Sequence, residues 1–288
     1  MRYVRHAAAL TLLVMAWSVP MRAAQDAAAS APVTLTPAQM EEFLLRAKIL
    51  RMRDAGDGIT GSRRATMSDG ALTHDAHIQV INQTTALFRP PTGPPEMNFR
   101  DFYGYNVAAY RLAVLLELDN VPMSVERSVE GKRAAVTWWV DDVMMDERTR
   151  LKTEARGPDP ERTAMQTYVM RVFDELIANR DRNMGNLLWT TDWKMWMIDH
   201  TRAFRLWTEL QRPVALVRIE RSLFEKMRRL TSDAVTKAVG NSLSRFEIQA
   251  VLSRRDAIVK LFEAKIAERG EGPILYTFPA LTLAGPQS

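Results

Sequence analysis

The chain of 288 residues contains no cysteine, which excludes disulfide bonds, thiolate metal sites and cysteine nucleophiles. Histidine is scarce as well, and the four histidines include no HExxH pair, which argues against a zinc hydrolase. The 39 basic residues only slightly exceed the 34 acidic ones, for a net charge of +5, and no dense run of lysine or arginine occurs. The composition therefore gives no reason to expect a nucleic-acid partner.

Long apolar runs are also scarce, and the clearest one stands at the start of the chain. Residues 7–17 are apolar, Arg2 and Arg5 precede them, and small residues follow at 23–29. This pattern is typical of a secretory signal, and the run is shorter than the roughly 20 residues that span a bilayer. We therefore predict a signal peptide over 1–29 and an exported, periplasmic or secreted chain that has no transmembrane span after cleavage. The alternative is an uncleaved N-terminal membrane anchor.

The next part of the chain alternates between β patterns and helices. A capping box at 36–39 predicts the start of a helix, and the spacing of apolar residues predicts that this helix extends to about residue 54. Two strands are predicted within 56–82, and Asp101 is predicted to cap a second amphipathic helix. Two further strands flank the turn at 130–131. The predicted order is ββ-α-ββ.

The rest of the chain reads as mainly helical. A helix beginning at Pro160 leads into residue 179, and two short apolar strands flank the turn at 191–192. Residues 221–269 are helical again, with a capping box that starts at Ser244. These patterns predict an α+β protein with a small β-rich lobe and a mostly helical second lobe.

Three polar residues in this second part suggest a chemistry. Asn186 follows Asp181 by five positions, and Asp199 stands beyond the predicted hairpin. Phosphoryl transfer needs a carboxylate that orients the attacking hydroxyl, together with hard oxygen ligands that hold Mg²⁺ against nucleotide phosphates. The Asp-to-Asn spacing alone is a weak signal. Its position after an amphipathic helix and before a hairpin that ends in Ile-Asp makes it more specific.

The segments NRDRNMGN at 179–186 and IDHTRAF at 198–204 resemble the atypical kinases. These include the HipA-like Ser/Thr kinases, the phosphatidylinositol 3-/4-kinases and the secreted Golgi casein-kinase family, and a looser similarity extends over about 56–262. The resemblance implies a two-lobed, protein-kinase-like fold. The predicted linker and N-terminal helix cover 30–54, and the predicted N-lobe covers 55–140. The predicted C-lobe covers 141–270, and the predicted C-terminal tail covers 271–288.

The resemblance also implies roles for individual residues. Asp181 matches the catalytic Asp that orients the acceptor hydroxyl, and Asn186 and Asp199 match the ligands of Mg²⁺ or Mn²⁺. Gly61 and Ser62 fall where a phosphate-covering loop belongs, because small residues let backbone N–H groups approach anionic oxygens. The implied donor is ATP, and the implied acceptor is a hydroxyl of a protein, a lipid or a small molecule.

Two positions depart from the kinase pattern. The expected lysine of the third small-lobe strand aligns with Gln79, and the expected glutamate of the main helix aligns with Asn106. An amide pair can reproduce the hydrogen bond but not the charge, and a charge-assisted hydrogen bond contributes about 1.5–3 kcal/mol against roughly 1 for a neutral one. We therefore expect weaker ATP binding or reliance on Arg63 or Arg64 for phosphate contact.

Three functional hypotheses remain open at this point. The first is an ATP- and Mg²⁺-dependent phosphotransferase, and the second is a nucleotide-binding pseudokinase or scaffold. The third is a metal-dependent phosphoesterase that uses Asp181, Asp199 and His200. We expect His200 to be packed or solvated rather than a ligand, and Arg182 to pair with a nearby acid.

Overall fold

The computed structural model describes residues 35–55, 62–90, 95–180 and 182–278. The predicted signal peptide lies outside the described residues. The elements of the first half are, in chain order, α1 (Pro37–Arg46), β1 (Lys48–Asp54), β2 (Arg63–Ser68), β3 (Thr73–Gln79), β4 (Asn82–Phe88), β5 (Glu96–Phe102), α2 (Gly104–Leu115), β6 (Ser124–Val129) and β7 (Lys132–Trp138).

A five-stranded antiparallel sheet organises this half, in the spatial order β1-β2-β3-β7-β6. The α1 helix begins at the predicted capping box, which is confirmed by hydrogen bonds between Thr36 and Gln39. Its Phe43 and Leu44 pack in one core with Met67 and Ile78 of the sheet. Because side chains alternate between the two faces of a strand, one face of the sheet packs against this helix in a shared core.

The prediction that the first helix continues to about residue 54 is wrong. The helix ends at Arg46, and residues 48–54 form β1 along the edge of β2. Leu50 of β1 is 56% exposed and lies at an irregularity in the strand pairing between Ile49 and Arg51. Sheet pairing satisfies the backbone groups at the β2 edge, and this tertiary gain overrides the local helical pattern.

The predicted role of Asp101 as a helix cap is also wrong. Asp101 belongs to β5, which pairs with β4 in a separate hairpin, and α2 begins at Gly104 without a side-chain cap. The buried Asp101 carboxylate instead accepts a hydrogen bond from Arg202 Nε at 2.7 Å. Arg202 is 101 residues away from Asp101 in sequence, so no local pattern predicts this hydrogen bond.

The second half is mainly helical, as predicted. Its elements are β8 (Val143–Asp146), α3 (Glu147–Lys152), α4 (Pro160–Leu176), β9 (Leu187–Thr190), β10 (Met195–Met197), β11 (Ile219–Glu220), α5 (Arg221–Arg229), α6 (Ser232–Val239), α7 (Arg245–Arg269) and β12 (Leu275–Tyr276). The predicted β9–β10 hairpin is confirmed, and β8 extends it to three strands. The capping box at Ser244 is confirmed at the start of α7. The predicted C-terminal tail contains β12, which pairs in parallel with β11.

The α2 helix links the sheet to the helical half. Tyr105 and Leu112 of α2 lie in one hydrophobic core with Phe173 of α4 and Phe262 of α7. The described residues from Thr36 onward belong to one compact unit. The predicted lobe boundary near residue 140 stays a prediction, whereas the α+β class with its β-rich first half is confirmed.

None of the helices in the described ranges combines the length and apolar character needed to cross a bilayer.

The Tyr105 hydroxyl of α2 donates to the Glu247 carboxylate at the start of α7. We expect Tyr105→Phe to lower the free energy of unfolding by about 1–3 kcal/mol, because one buried carboxylate oxygen loses its donor. Urea denaturation measures this difference. Tyr110→Phe, on the same helix, is the matched control, since no hydrogen bond of its hydroxyl occurs among the described residues. Equal losses in the two variants would contradict the assigned contact.

Candidate active site

A cleft of about 850 Å³ receives residues from both halves of the chain. Ser62, Asn106, Asn186 and Asp199, which the sequence places in the site, all line it. Apolar and aromatic side chains also contribute to the walls, namely Ala55, Val121, Pro122, Trp138, Trp139, Val140, Val143, Leu188 and Ile198. An apolar wall with a few convergent polar groups is typical of a site for a small ligand.

Gln79 and Asn106 meet through their side-chain amides. Asn106 Nδ2 donates to Gln79 Oε1 at 2.5 Å, and both side chains are buried. Gln79 Nε2 in turn donates to Ser62 Oγ at 3.2 Å and to Asp199 Oδ1 at 3.3 Å. Gln79 and Asn106, which align with the kinase Lys–Glu pair, therefore contact each other. Their uncharged side chains form a hydrogen-bonded link that ends at Asp199.

Asp199 occupies a strained backbone position directly after β10. Its φ is 53°, in the left-handed region that costs a non-glycine residue energy but that Asp tolerates better than most. Thr201 Oγ1 donates to Asp199 Oδ1 at 3.2 Å, and the next backbone N–H, that of His200, donates to Asn106 Oδ1 at 2.8 Å. The amides of α2 and β3 thus fix both the backbone and the carboxylate at this position.

A second anchor, built around Asp174 of α4, holds the loop that leads to Asn186. Arg182 binds the Asp174 carboxylate through two hydrogen bonds of 2.8 and 2.9 Å. Its remaining nitrogen donates to the backbone carbonyls of Ile198, at 2.7 Å, and Asn186, at 3.3 Å. Arg182 therefore pairs with a nearby acid, as predicted, and ties α4 to both strands of the hairpin.

Asn186 is the last residue of a short 3₁₀ turn over Met184–Asn186. The Asn186 carbonyl accepts a hydrogen bond from the N–H of Ile198 at 3.0 Å. Asn186 therefore lies opposite Ile198, the residue that precedes Asp199. The half-buried side chain of Asn186 lines the cleft. An amide side chain and a carboxylate therefore line the same cleft from the two ends of the β9–β10 hairpin.

Two predicted site residues, Gly61 and Asp181, lie outside the described residues, and their roles remain predictions.

Neither Arg63 nor Arg64 lines the cleft, so the structure lends no support to the expectation that one of them contacts phosphate. Arg63 Nη1 binds Glu130 at 2.9 Å, and Arg64 Nε binds Asp75 at 2.6 Å. Arg64 also lies over the ring of Trp139, 4.0 Å from its centroid. Because carboxylates already neutralise both guanidinium groups and neither lines the cleft, their charge is not available there.

The two histidines of the cleft add no reliable positive charge. Burial lowers the pKa of His77, an effect that the nearby negative charge of Asp199 opposes. Burial and the positive charge of Arg182 hold the pKa of His200 well below its ordinary value of 6.5. His200 is a packed histidine, as expected, and its ring meets Phe173 edge-on.

The Asp174 anchor was missed by the sequence reasoning, although its signal was present. Asn179 and Arg182 bind Asp174 from only five and eight residues away in sequence. Proximity leaves two candidate acids at the end of α4, Asp174 and Glu175, and Glu175 instead accepts from the backbone N–H groups of Gln211 and Arg212.

No protein-family model matches the sequence, and no curated protein matches it. Solved structures do match. The structure of hydra Fam20 with sugar aligns with a TM-score of 0.64 at 12% identity, covering 83% of this chain and 92% of that one. The crystal structure of the Golgi casein kinase aligns with a TM-score of 0.58 at 13% identity, covering 84% of this chain and 79% of that one. The structure of the Golgi casein kinase with Mn/ADP bound also gives 0.58 at 13% identity, with 85% and 80% covered. The chain therefore has an atypical protein-kinase-like fold, and the resemblance stated from the sequence is confirmed at the level of the fold.

Because His200 is buried and neutral, its protonation must accompany unfolding in acid. The unfolded state binds more protons than the folded one below about pH 6.5, so stability falls as the pH drops. We expect this group to lower the free energy of unfolding as the pH falls from 6 to 5, by at most about 1.4 kcal/mol per pH unit. Urea denaturation across this range should give His200→Gln a shallower slope than the unmodified chain. Identical slopes would contradict the assignment of His200 as a buried neutral group.

Proposed function

We propose that the chain is an ATP- and divalent-metal-dependent phosphotransferase that acts on a hydroxyl acceptor. The observation that carries the proposal is the attachment of Asp199 to the Gln79–Asn106 pair in a cleft that Asn186 also lines. The kinase-like fold and the Mn/ADP bound in the Golgi casein kinase structure support this choice of donor and metal.

Asn186 and Asp199 suit Mg²⁺ or Mn²⁺ as ligands. Both offer hard oxygen atoms, and Asp199 Oδ2 makes no hydrogen bond to any residue within the described ranges, so it is open to a cation. In those ranges no three His, Asp or Glu side chains cluster, and no observation there favours the phosphoesterase alternative. When bound, the metal would neutralise charge on the nucleotide phosphates.

The chain's own residues would orient the acceptor and accept its proton. The acceptor oxygen forms a bond to the terminal phosphorus, and the bond between that phosphorus and the bridging oxygen breaks. ADP leaves with the bonding electron pair on its β-phosphate oxygen. The hydroxyl proton passes to the carboxylate of Asp181, the proposed base. The cleft walls would keep the reacting groups aligned and limit the access of water.

The pseudokinase alternative is favoured by one specific observation. Gln79 and Asn106 form a neutral pair where a Lys–Glu pair would supply charge to the nucleotide. A chain of this kind would bind nucleotide and metal without transferring phosphate. We also keep the proposal that the chain is exported, which requires a source of ATP in that compartment.

Two substitutions separate binding from transfer. We expect Asp181→Ala to slow phosphate transfer by roughly 10²–10⁴ while nucleotide binding is retained, because it removes a general base. Asp199→Ala should instead abolish most of the thermal stabilisation by Mg²⁺-ATP or Mn²⁺-ATP, because it removes a metal ligand. Transfer is measured with labelled ATP and self-labelling of the purified chain.

Asp256→Ala, an exposed position on α7, is the matched control and should leave both measurements unchanged. Stabilisation by nucleotide without any labelling of the unmodified chain would establish the pseudokinase alternative. Native labelling rates in both Asp181→Ala and Asp199→Ala would contradict the phosphotransferase proposal.

A further inference from the structure

Gln79 stands where the kinase pattern has a lysine, and none of the described lysines lines the cleft. Arg63 and Arg64 bind Glu130 and Asp75, and neither of them lines the cleft. ATP carries several negative charges, and catalysis of its transfer depends largely on electrostatic stabilisation of the phosphoryl group. If the proposed function holds, another positive group should face the phosphates.

Three arginines line the cleft, namely Arg180, Arg182 and Arg202. Arg182 is fully engaged by Asp174 and two carbonyls, and Arg202 is paired with Asp101. Arg180 differs from both, because no carboxylate pairs with it among the residues that the structure describes. Its guanidinium carbon lies 5.4 Å from the centroid of the Trp207 ring.

The backbone on either side of Arg180 is held in place. Asn179 Nδ2 donates to Asp174 Oδ1 at 3.0 Å, and Arg182 binds the same carboxylate. The Trp207 carbonyl accepts from Arg254, a fully buried arginine that also binds the carbonyls of Leu176 and Arg205. The half-buried Arg180 side chain thus lies over the ring of a residue whose backbone is anchored, and no acid within the described ranges pairs with it.

We propose that Arg180 is a catalytic residue that contacts the terminal phosphoryl group of ATP and supplies the charge that Gln79 lacks. The inference rests on the proposed function. Arg180 lines the cleft together with Asn186 and Asp199, the proposed metal ligands. A guanidinium group offers a fork of donors that matches phosphate oxygens. Arg180 adds no bond to the transfer step and only stabilises the charge on the phosphoryl oxygens.

The test compares ATP with ADP, because only ATP has the terminal phosphoryl group. We expect Arg180→Gln to raise the Kd for Mn²⁺-ATP roughly 10-fold or more and the Kd for Mn²⁺-ADP less than about 2-fold, as measured by calorimetry. The rate of transfer should fall roughly 10- to 100-fold. Arg180→Lys should recover part of the ATP affinity, because it keeps the charge but loses the fork.

Arg171→Gln removes an exposed arginine of α4 and should match the unmodified chain in every measurement. Equal changes in ATP and ADP affinity in Arg180→Gln, or no change in either, would overturn the role of Arg180 while leaving the phosphotransferase proposal intact. Failure of the unmodified chain to bind either nucleotide would overturn the proposed function and this inference together.

Discussion

The hydrogen bonds that run from Asn106 through Gln79 to Asp199 determine the geometry of the site. They connect the helix α2, the strand β3 and the segment after β10, which are distant in sequence. Among the described residues, they and Thr201 hold the Asp199 carboxylate, while the bond from the His200 N–H to Asn106 supports the left-handed backbone at Asp199. Such strained positions persist where the surrounding contacts over-determine them, and they are frequent at functional sites.

The hydrogen-bonded link between Gln79 and Asn106 carries no charge. A Lys–Glu pair would position groups and supply charge at once, whereas two amides can only position. If the proposed function holds, the charge for phosphate binding would come from the metal and from another part of the cleft. The Asp174 anchor is relevant here, because one buried carboxylate fixes Asn179 and Arg182 on either side of the loop and connects it to the hairpin. Positioning and charge would thus be divided between two separate networks.

How much of this could be predicted depends on the range of each interaction. The capping boxes at Thr36 and Ser244 are local in sequence, and both were predicted. The β9–β10 hairpin was predicted for the same reason. The contact between Gln79 and Asn106 followed from the resemblance to kinases, because no local pattern joins residues 27 positions apart. In contrast, β1 and the Asp101–Arg202 pair were missed, since each depends on a partner that only the folded chain brings close.

The central claim is that Asp199, held by Gln79 and Asn106, binds a divalent cation together with Asn186. Crystals of the chain grown with Mn²⁺ and ADP test this most directly, because the anomalous scattering of Mn²⁺ locates the ion independently of any activity. The account predicts a single strong peak roughly 2 Å from the Asp199 carboxylate and the Asn186 amide oxygen, with the Gln79–Asp199 hydrogen bond intact. A manganese ion bound elsewhere, or an Asp199 carboxylate turned away from Gln79 and the cleft, would contradict it.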